Sequence, residues 1–242
     1  DGVSGRAWRL GEARLSLTLG PGGVEGAAEG RVSPLEGAAR PPARLALSGR
    51  MAADGAVAAR LAFEGARLGD LAAALPEFAP AAWLIADAAG TMELRQAPDG
   101  ALSALAADLR LGAGRIRDVP GPAGRFNAAE LRVSWDREAG AFRLARLAIE
   151  GELGRAALSG VAAPPAGGGP GLEARLALEG LEVFGPGGAR VAVFEEGALE
   201  AAILAGGARV EVARLALASP ELALEAQGAA ARGPGGWRLA AR

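Results

Sequence analysis

Large apolar residues alternate with small or charged residues along most of this chain, and this period of two constrains the fold more than any other feature. Within Ala56–Glu64 the odd positions are apolar, whereas the even positions carry Arg60 and Glu64. Such alternation is typical of a β-strand with one buried face. Most connections between the alternating segments are short and contain glycine, which forces antiparallel neighbours. We therefore predict a mainly all-β chain built as a long, twisted antiparallel meander that curls into a groove.

One segment departs from the alternation and predicts a short helix at about Gly69–Leu75. Leu68, Leu71 and Leu75 are spaced so that they share one side of a helix, and Pro76 disfavours a helical backbone at the residue before it. The helix would either clasp one edge of the sheet with its leucines or serve as a plain crossover between strands. After it we predict a hairpin over about Thr91–Leu111.

The hairpin has a turn signal with a physical reason. In Pro98-Asp99-Gly100 the proline presets φ and the glycine supplies a positive φ. Because most connections are short and contain glycine, we predict separate strands near Ala101–Leu111 and Gly114–Val119. A further strand is predicted near Phe126–Trp135.

A short pattern, Ala-Arg-Leu followed by a small and an apolar residue, recurs along the chain. The copies begin at Ala13, Ala43, Ala59, Ala145, Ala174 and Ala213. Their spacing is irregular, so the pattern predicts no strict solenoid repeat. It indicates one type of strand used several times, and the alternative is chance recurrence in a chain rich in alanine, arginine and leucine.

Two of the predicted strands change phase midway. Phe142 and Leu144 would face one side of a regular strand and Leu147 and Ile149 the other, and the segment around Arg214 shows the same change. A β-bulge explains it, since one extra residue inverts every side chain that follows. A strand buried on both faces for half its length explains it equally well.

The residue types restrict the chemistry. All 26 basic residues among the 242 are arginine, and the chain has no histidine, cysteine or tyrosine, so the usual general bases and nucleophiles are missing. Glu195 and Glu196 are adjacent, but neighbours on a strand point to opposite faces. The aspartates are isolated, which disfavours a calcium site. We expect no catalytic residue, no metal and no cofactor.

Charge and hydropathy give no support to nucleic-acid binding or to a membrane-spanning helix. The formal net charge of −2 gives no reason to expect nucleic-acid binding. No window of 18 apolar residues occurs, so we expect no membrane-spanning segment in this chain. The stretch 162–171 is rich in proline and glycine and is interpreted as a linker between residues 1–161, which hold the helix, and 172–242, which continue the meander, possibly in the same sheet.

The apolar side of the predicted sheet is the remaining candidate for a functional surface. The residues expected to line it are Leu45, Leu47, Leu61, Phe63, Leu131, Val133, Trp135, Leu176 and Leu178. One interpretation is the core of a closed β-sandwich or β-solenoid. The other is an open groove that takes lipid acyl chains.

The central part of the chain resembles a known family. Phe63–Pro76 resembles the strand and "DLAALLP" helix of AsmA-like proteins, the group that includes YhdP and TamB. Gly90–Leu94, the Asp99-Gly100 turn and Ala107–Ile116 resemble the strands that follow it in that family. Phe142–Gly151 leading to Leu158-Ser159-Gly160 does so as well, and the resemblance covers roughly residues 43–161.

This resemblance implies an internal fragment of a bridge-like lipid-transfer protein of the Gram-negative cell envelope. Such a protein is anchored in the inner membrane by a helix that this chain lacks, and it extends through the periplasm. Its inner sheet face would carry phospholipid acyl chains toward the outer membrane, and its partners would be those chains and the rest of the same polypeptide. The alternative is a non-catalytic structural or assembly module, such as a scaffold for outer-membrane biogenesis or an adhesin-like stalk.

Overall fold

The structure, a computed structural model, describes residues 8–35, 41–68, 84–117, 119, 121–165, 171–204, 209–233 and 236–241. The predicted helix at about Gly69–Leu75 lies outside the described residues, as does most of the second half of the predicted linker. Sixteen strands are described. They are β1 (Trp8–Gly20), β2 (Gly23–Pro34), β3 (Ala43–Ala52), β4 (Val57–Arg67), β5 (Leu84–Gln96), β6 (Leu102–Ile116), β7 (Arg125–Phe126), β8 (Ala128–Asp136), β9 (Ala141–Gly151), β10 (Gly154–Ala163), β11 (Gly171–Phe184), β12 (Arg190–Phe194), β13 (Glu196–Leu204), β14 (Arg209–Ala218), β15 (Ala223–Gly233) and β16 (Gly236–Ala241).

All sixteen strands belong to one open antiparallel sheet whose order follows the chain. Only β7 and β12 leave this order, because they pair with the carboxyl-terminal halves of the long strands β6 and β11. The strand pairs in substantial contact are sheet neighbours, with one exception. β7 and β9 contact each other although they do not pair in the sheet. The predicted all-β meander is confirmed, and the described residues form a single layer. Within it β10 pairs directly with β11, so one sheet runs from residue 8 to residue 241.

The hairpin turn between β5 and β6 forms where it was predicted. Gly100 has a φ of 83°, and its backbone N–H donates to the carbonyl oxygen of Ala97 at 2.9 Å. The Asp99 carboxylate accepts a hydrogen bond from the N–H of Ala101. The turn at Asp54-Gly55 repeats these three features, so two aspartate-glycine turns set the register of successive hairpins.

Three predicted strand boundaries were wrong. The glycines at 112 and 114 do not end a strand, because β6 runs continuously from Leu102 to Ile116 and takes up Gly112-Ala113 as a bulge. β5 begins at Leu84, well before the predicted Thr91, because after Leu84 and Ile85 its first half contains only alanines, Asp87 and a glycine, which give no clear alternation of large apolar residues. Phe126 belongs to the separate short strand β7 and not to the strand of Trp135.

The phase changes in β9 and β14 are bulges. Val133 lies opposite Leu144 while Arg132 lies opposite Arg146, so Ala145 is the extra residue of β9. In β14 the corresponding shift falls between Val212 and Leu215. The extra residue keeps the apolar side chains before and after it on one face, and this excludes the alternative of a strand buried on both faces for half its length.

Similar bulges occur in every second strand from β4 to β14 along the sheet. The extra residues fall at Glu64-Gly65 in β4, Gly112-Ala113 in β6, Ala145 in β9, Glu179 in β11 and Ala213-Arg214 in β14. A bulge bends its strand and increases the local right-handed twist. Because the five bulges follow one another across the sheet, they bend it along its long axis and give it the form of a gutter.

The second half of the sheet repeats an arrangement in the first half. Equal sequence intervals separate Phe126 from Phe194 and Arg146 from Arg214. The same interval separates the bulge between β8 and β9 from the bulge between β13 and β14. Each unit has a long bulged strand, a short paired strand that ends in a buried phenylalanine, and a second bulged strand. The two units therefore offer equivalent positions for comparison.

Candidate functional site

The strand register aligns large apolar side chains into rows that run across the sheet. The first apolar row consists of Leu45, Phe63, Gly90, Leu109, Leu131, Leu147, Leu158, Leu178, Gly197 and Leu217. Directly opposed residues of antiparallel strands share a face, so the whole row lies on one side of the sheet. The large buried side chains of the strands lie on this same side, here called the apolar face.

A second and a third row flank the first on the apolar face. The second apolar row consists of Leu15, Ala28, Leu47, Leu61, Met92, Ala107, Val133, Leu144, Gly160, Leu176, Leu199 and Leu215. The third contains Trp135, Phe142, Ala162, Ala174, Ala201 and Val212. All nine residues predicted to line the apolar side therefore stand on one face, in three adjacent rows; their contact with lipid stays a prediction.

Sequence reasoning missed about half of the first row. Leu109, Leu147 and Leu158 lie between predicted members, and their strands alternate as clearly as the others. The sequence does not show the register between strands. A bulge in every second strand changes which residues face the apolar side, so only the strand pairing shows which leucines align. Leu178, Phe194 and Leu217 pack into one buried cluster, which indicates that the apolar face is concave at β11–β14.

Part of the apolar face is open to solvent. Leu47 is 49 % exposed and Met51 50 %, and at the edge strand β1 Leu15 reaches 80 %. These three residues border a hollow of about 310 Å³ over β1–β4. Gly26 and Gly49 form part of its floor, since they have no side chain to fill it. Exposed apolar side chains grouped in this way mark surfaces that meet an apolar ligand or a partner.

In the third row, Trp135 carries a buried polar atom, its indole Nε1. Its ring packs edge to face against Phe142, with ring centroids 4.9 Å apart. The indole Nε1 is buried and has no hydrogen-bond partner among the described residues. Buried indole N–H groups normally find an acceptor, so this donor reduces the stability that the aromatic pair contributes.

The opposite side of the sheet, here called the polar face, carries cross-strand ion pairs. The pairs include Arg44–Glu64, Arg60–Glu93, Arg132–Asp108 and Arg146–Glu130, with N–O distances from 3.1 to 3.8 Å. Exposed pairs of this kind each contribute about 0–1 kcal/mol. Their main effect is on register, because a slip by one residue would turn the arginines onto the apolar face.

Two carboxylates of the polar face have lowered pKa values. The backbone N–H of Ala139 and then the Arg143 guanidinium hold the pKa of Asp136 below its ordinary value. Arg155 donates to Glu182 at 2.6 Å and lowers the pKa of that carboxyl. A lowered folded-state pKa stabilises the protein above the unfolded-state pKa, and the contribution is lost as pH falls through the folded-state pKa.

We therefore expect the thermal midpoint to be flat near neutral pH and to fall once pH drops below about 4, where unfolded carboxyls take up protons. Asp136→Asn should lower the midpoint at neutral pH and have no effect at the lowest pH at which the chain still folds. Melting curves across this pH range measure both. A difference between the two proteins that does not change with pH would contradict this account of Asp136.

The described residues offer few groups for catalysis or metal binding. In the described ranges no three acidic side chains gather closely enough to hold a metal ion. The same ranges contain no helix with the length and apolar character needed to span a membrane. In comparisons with known proteins, the chain matches no family model, no curated protein and no solved structure.

Proposed function

We propose that this chain is a non-catalytic segment of a periplasm-spanning envelope protein whose apolar face carries phospholipid acyl chains between the inner and outer membranes. The observation that carries the proposal is the continuity of the apolar rows. They cross from strand to strand without a charged residue in the first two rows, and no second layer covers them among the described residues. The resemblance of residues 43–161 to AsmA-like proteins supports the same function.

The rows have the dimensions and chemistry that an acyl chain needs. Neighbouring strands lie about 4.8 Å apart, so an acyl chain that lies along an apolar row contacts a new side chain at each strand. Burial of each methylene against leucine or valine is worth about 0.8 kcal/mol. Because the lining has few fixed polar groups, it would bind different acyl chains without preference. An acyl chain could also slide along a row, since neighbouring positions in the row are nearly equivalent.

Leu47→Asp is expected to abolish binding of phospholipid that copurifies with the wild-type protein. Leu47 is half exposed on the apolar face, so a carboxylate there meets the acyl chain without entering a packed core. Extraction of the purified protein followed by lipid mass spectrometry measures the bound phospholipid. Ser48→Asp is the matched control, because the adjacent exposed side chain lies on the polar face and should leave lipid binding unchanged.

The same experiment separates this function from the alternative. A structural or assembly module would purify folded, monomeric and free of lipid, and Leu47→Asp would then change nothing. Phe63→Asp does not separate the two functions, because Phe63 is only 5 % exposed and a carboxylate in its place would unfold the chain in either case. Folded wild-type protein without lipid, after expression in cells that contain both membranes, would overturn the proposal.

A further inference from the structure

Three arginines meet where the long strand β6 pairs with the short strand β7. Arg115 lies directly opposite Arg125 in this pairing, and Arg117 follows just beyond the end of β6. Side chains at directly opposed positions start about 5 Å apart. All three are exposed, and Arg115 and Arg125 lie at one corner of the polar face, which together with the adjacent Arg117 is here called the arginine corner.

Elsewhere on the polar face, opposed arginines are neutralised. Arg132 lies opposite Arg146, but Asp108 and Glu130 pair with them. At the arginine corner only Arg125 has an ion-pair partner within the described residues, Glu152 at 3.7 Å. Of two other acids near this corner, Asp87 on β5 pairs with Arg67 at 3.5 Å, and Glu150 on β9 lies directly opposite Arg155. Asp118, next in sequence, lies outside the described residues.

The second unit of the sheet provides an internal comparison. The pair Leu181–Phe194 corresponds to Gly114–Phe126, because each joins a long bulged strand to the buried phenylalanine of a short one. The residue that follows this pair on the long strand is Glu182 on β11 in the second unit and Arg115 on β6 in the first. Glu182 accepts a hydrogen bond from Arg155 and lies 3.9 Å from Arg190. Within the described residues, the acid of the second corner is thus paired with two arginines, whereas in the first corner Arg115 and Arg117 have no acidic partner.

Like charges directly opposite each other on a sheet are destabilising, and an opposite charge at the same place would relieve the repulsion. We infer that the arginine corner binds a phosphate group. A phosphate ester supplies up to two negative charges and three strong acceptor oxygens. Guanidinium groups match such oxygens through paired N–H donors. The inference does not rest on lipid carriage, because a free phosphate and a lipid headgroup offer the same chemistry to this corner.

The test compares two double variants that lose the same charge. Arg115→Gln/Arg125→Gln removes the opposed pair, and Arg95→Gln/Arg175→Gln removes two polar-face arginines that lie apart from each other on β5 and β11. Titration with inorganic phosphate and flotation with phosphatidylcholine vesicles that contain phosphatidic acid probe the two sources. We expect the corner variant to bind more weakly by about tenfold or more and the control variant to bind like the wild type.

Binding of vesicles without binding of inorganic phosphate would assign the site to a lipid headgroup, and binding of both would assign it to phosphate groups in general. Binding of neither by the wild type, or equal weakening in both variants, would overturn the inference. Arg115→Glu adds a second measurement, since it creates an opposite-charge pair with Arg125. It should raise the thermal midpoint while it abolishes phosphate binding, whereas an arginine with a purely structural role would lose stability.

Discussion

Replacement of Phe63 by alanine is expected to lower the free energy of unfolding by about 3–5 kcal/mol, a large fraction of the stability of an ordinary domain. Phe63 is only 5 % exposed and belongs to the largest buried cluster, with Ala88 and Leu109 among its members. Three of its six buried members are alanines, which have no rotamers with which to fill the cavity. Denaturant unfolding followed by circular dichroism measures the change.

Leu47→Ala is the control for Phe63→Ala. Leu47 lies opposite Leu61 in the next row, and half of its side chain is already in water. Its truncation removes less apolar area from a packed environment, so we expect a loss of about 1 kcal/mol. Equal losses in the two variants would contradict this difference in packing between the first apolar row and the open part of the apolar face.

The alternation of residue types was sufficient to predict the all-β meander and to group the nine candidate residues. Alternation has a period of two, and a strand has the same period, so residues such as Leu45 and Leu47 were assigned to one face correctly. Antiparallel order followed from the short connections, for example the turn at Pro98-Asp99-Gly100. These features depend on residues that are close in sequence, so they can be predicted without knowledge of how the strands pair.

Other features depend on pairing between strands and were not predictable. The sequence at Gly112-Ala113-Gly114 is compatible with a turn or a bulge, and only the partners of β6 distinguish them. The arginine corner arises because Arg115 and Arg125, ten positions apart, become directly opposed through β7. The net charge of −2 gave no indication of such a corner, because it sums the charges of the whole chain. The placement of three of the arginines, and not their number, carries the inference.

Gly90→Ala is expected to lower the free energy of unfolding by about 1–3 kcal/mol or more, because the sheet leaves no room for a β-carbon there. A Cβ at this position would lie 2.2 Å from the carbonyl oxygen of Asp108 and 3.0 Å from the Cα of Leu109. Both atoms belong to the backbone of β6, so the conflict is relieved only if β5 and β6 separate. That separation would also divide the first apolar row between Phe63 and Leu109.

Gly112→Ala is the matched control for Gly90→Ala. Its new Cβ would meet no atom closer than the Asp87 carbonyl oxygen at 3.8 Å, and its backbone is not left-handed. Loss of glycine's freedom in the unfolded chain should make this variant equal to the wild type or more stable by about 0.4–1 kcal/mol. Denaturant midpoints measure both variants. If Gly90→Ala were as stable as Gly112→Ala, β5 and β6 would not approach as closely as the register between them requires.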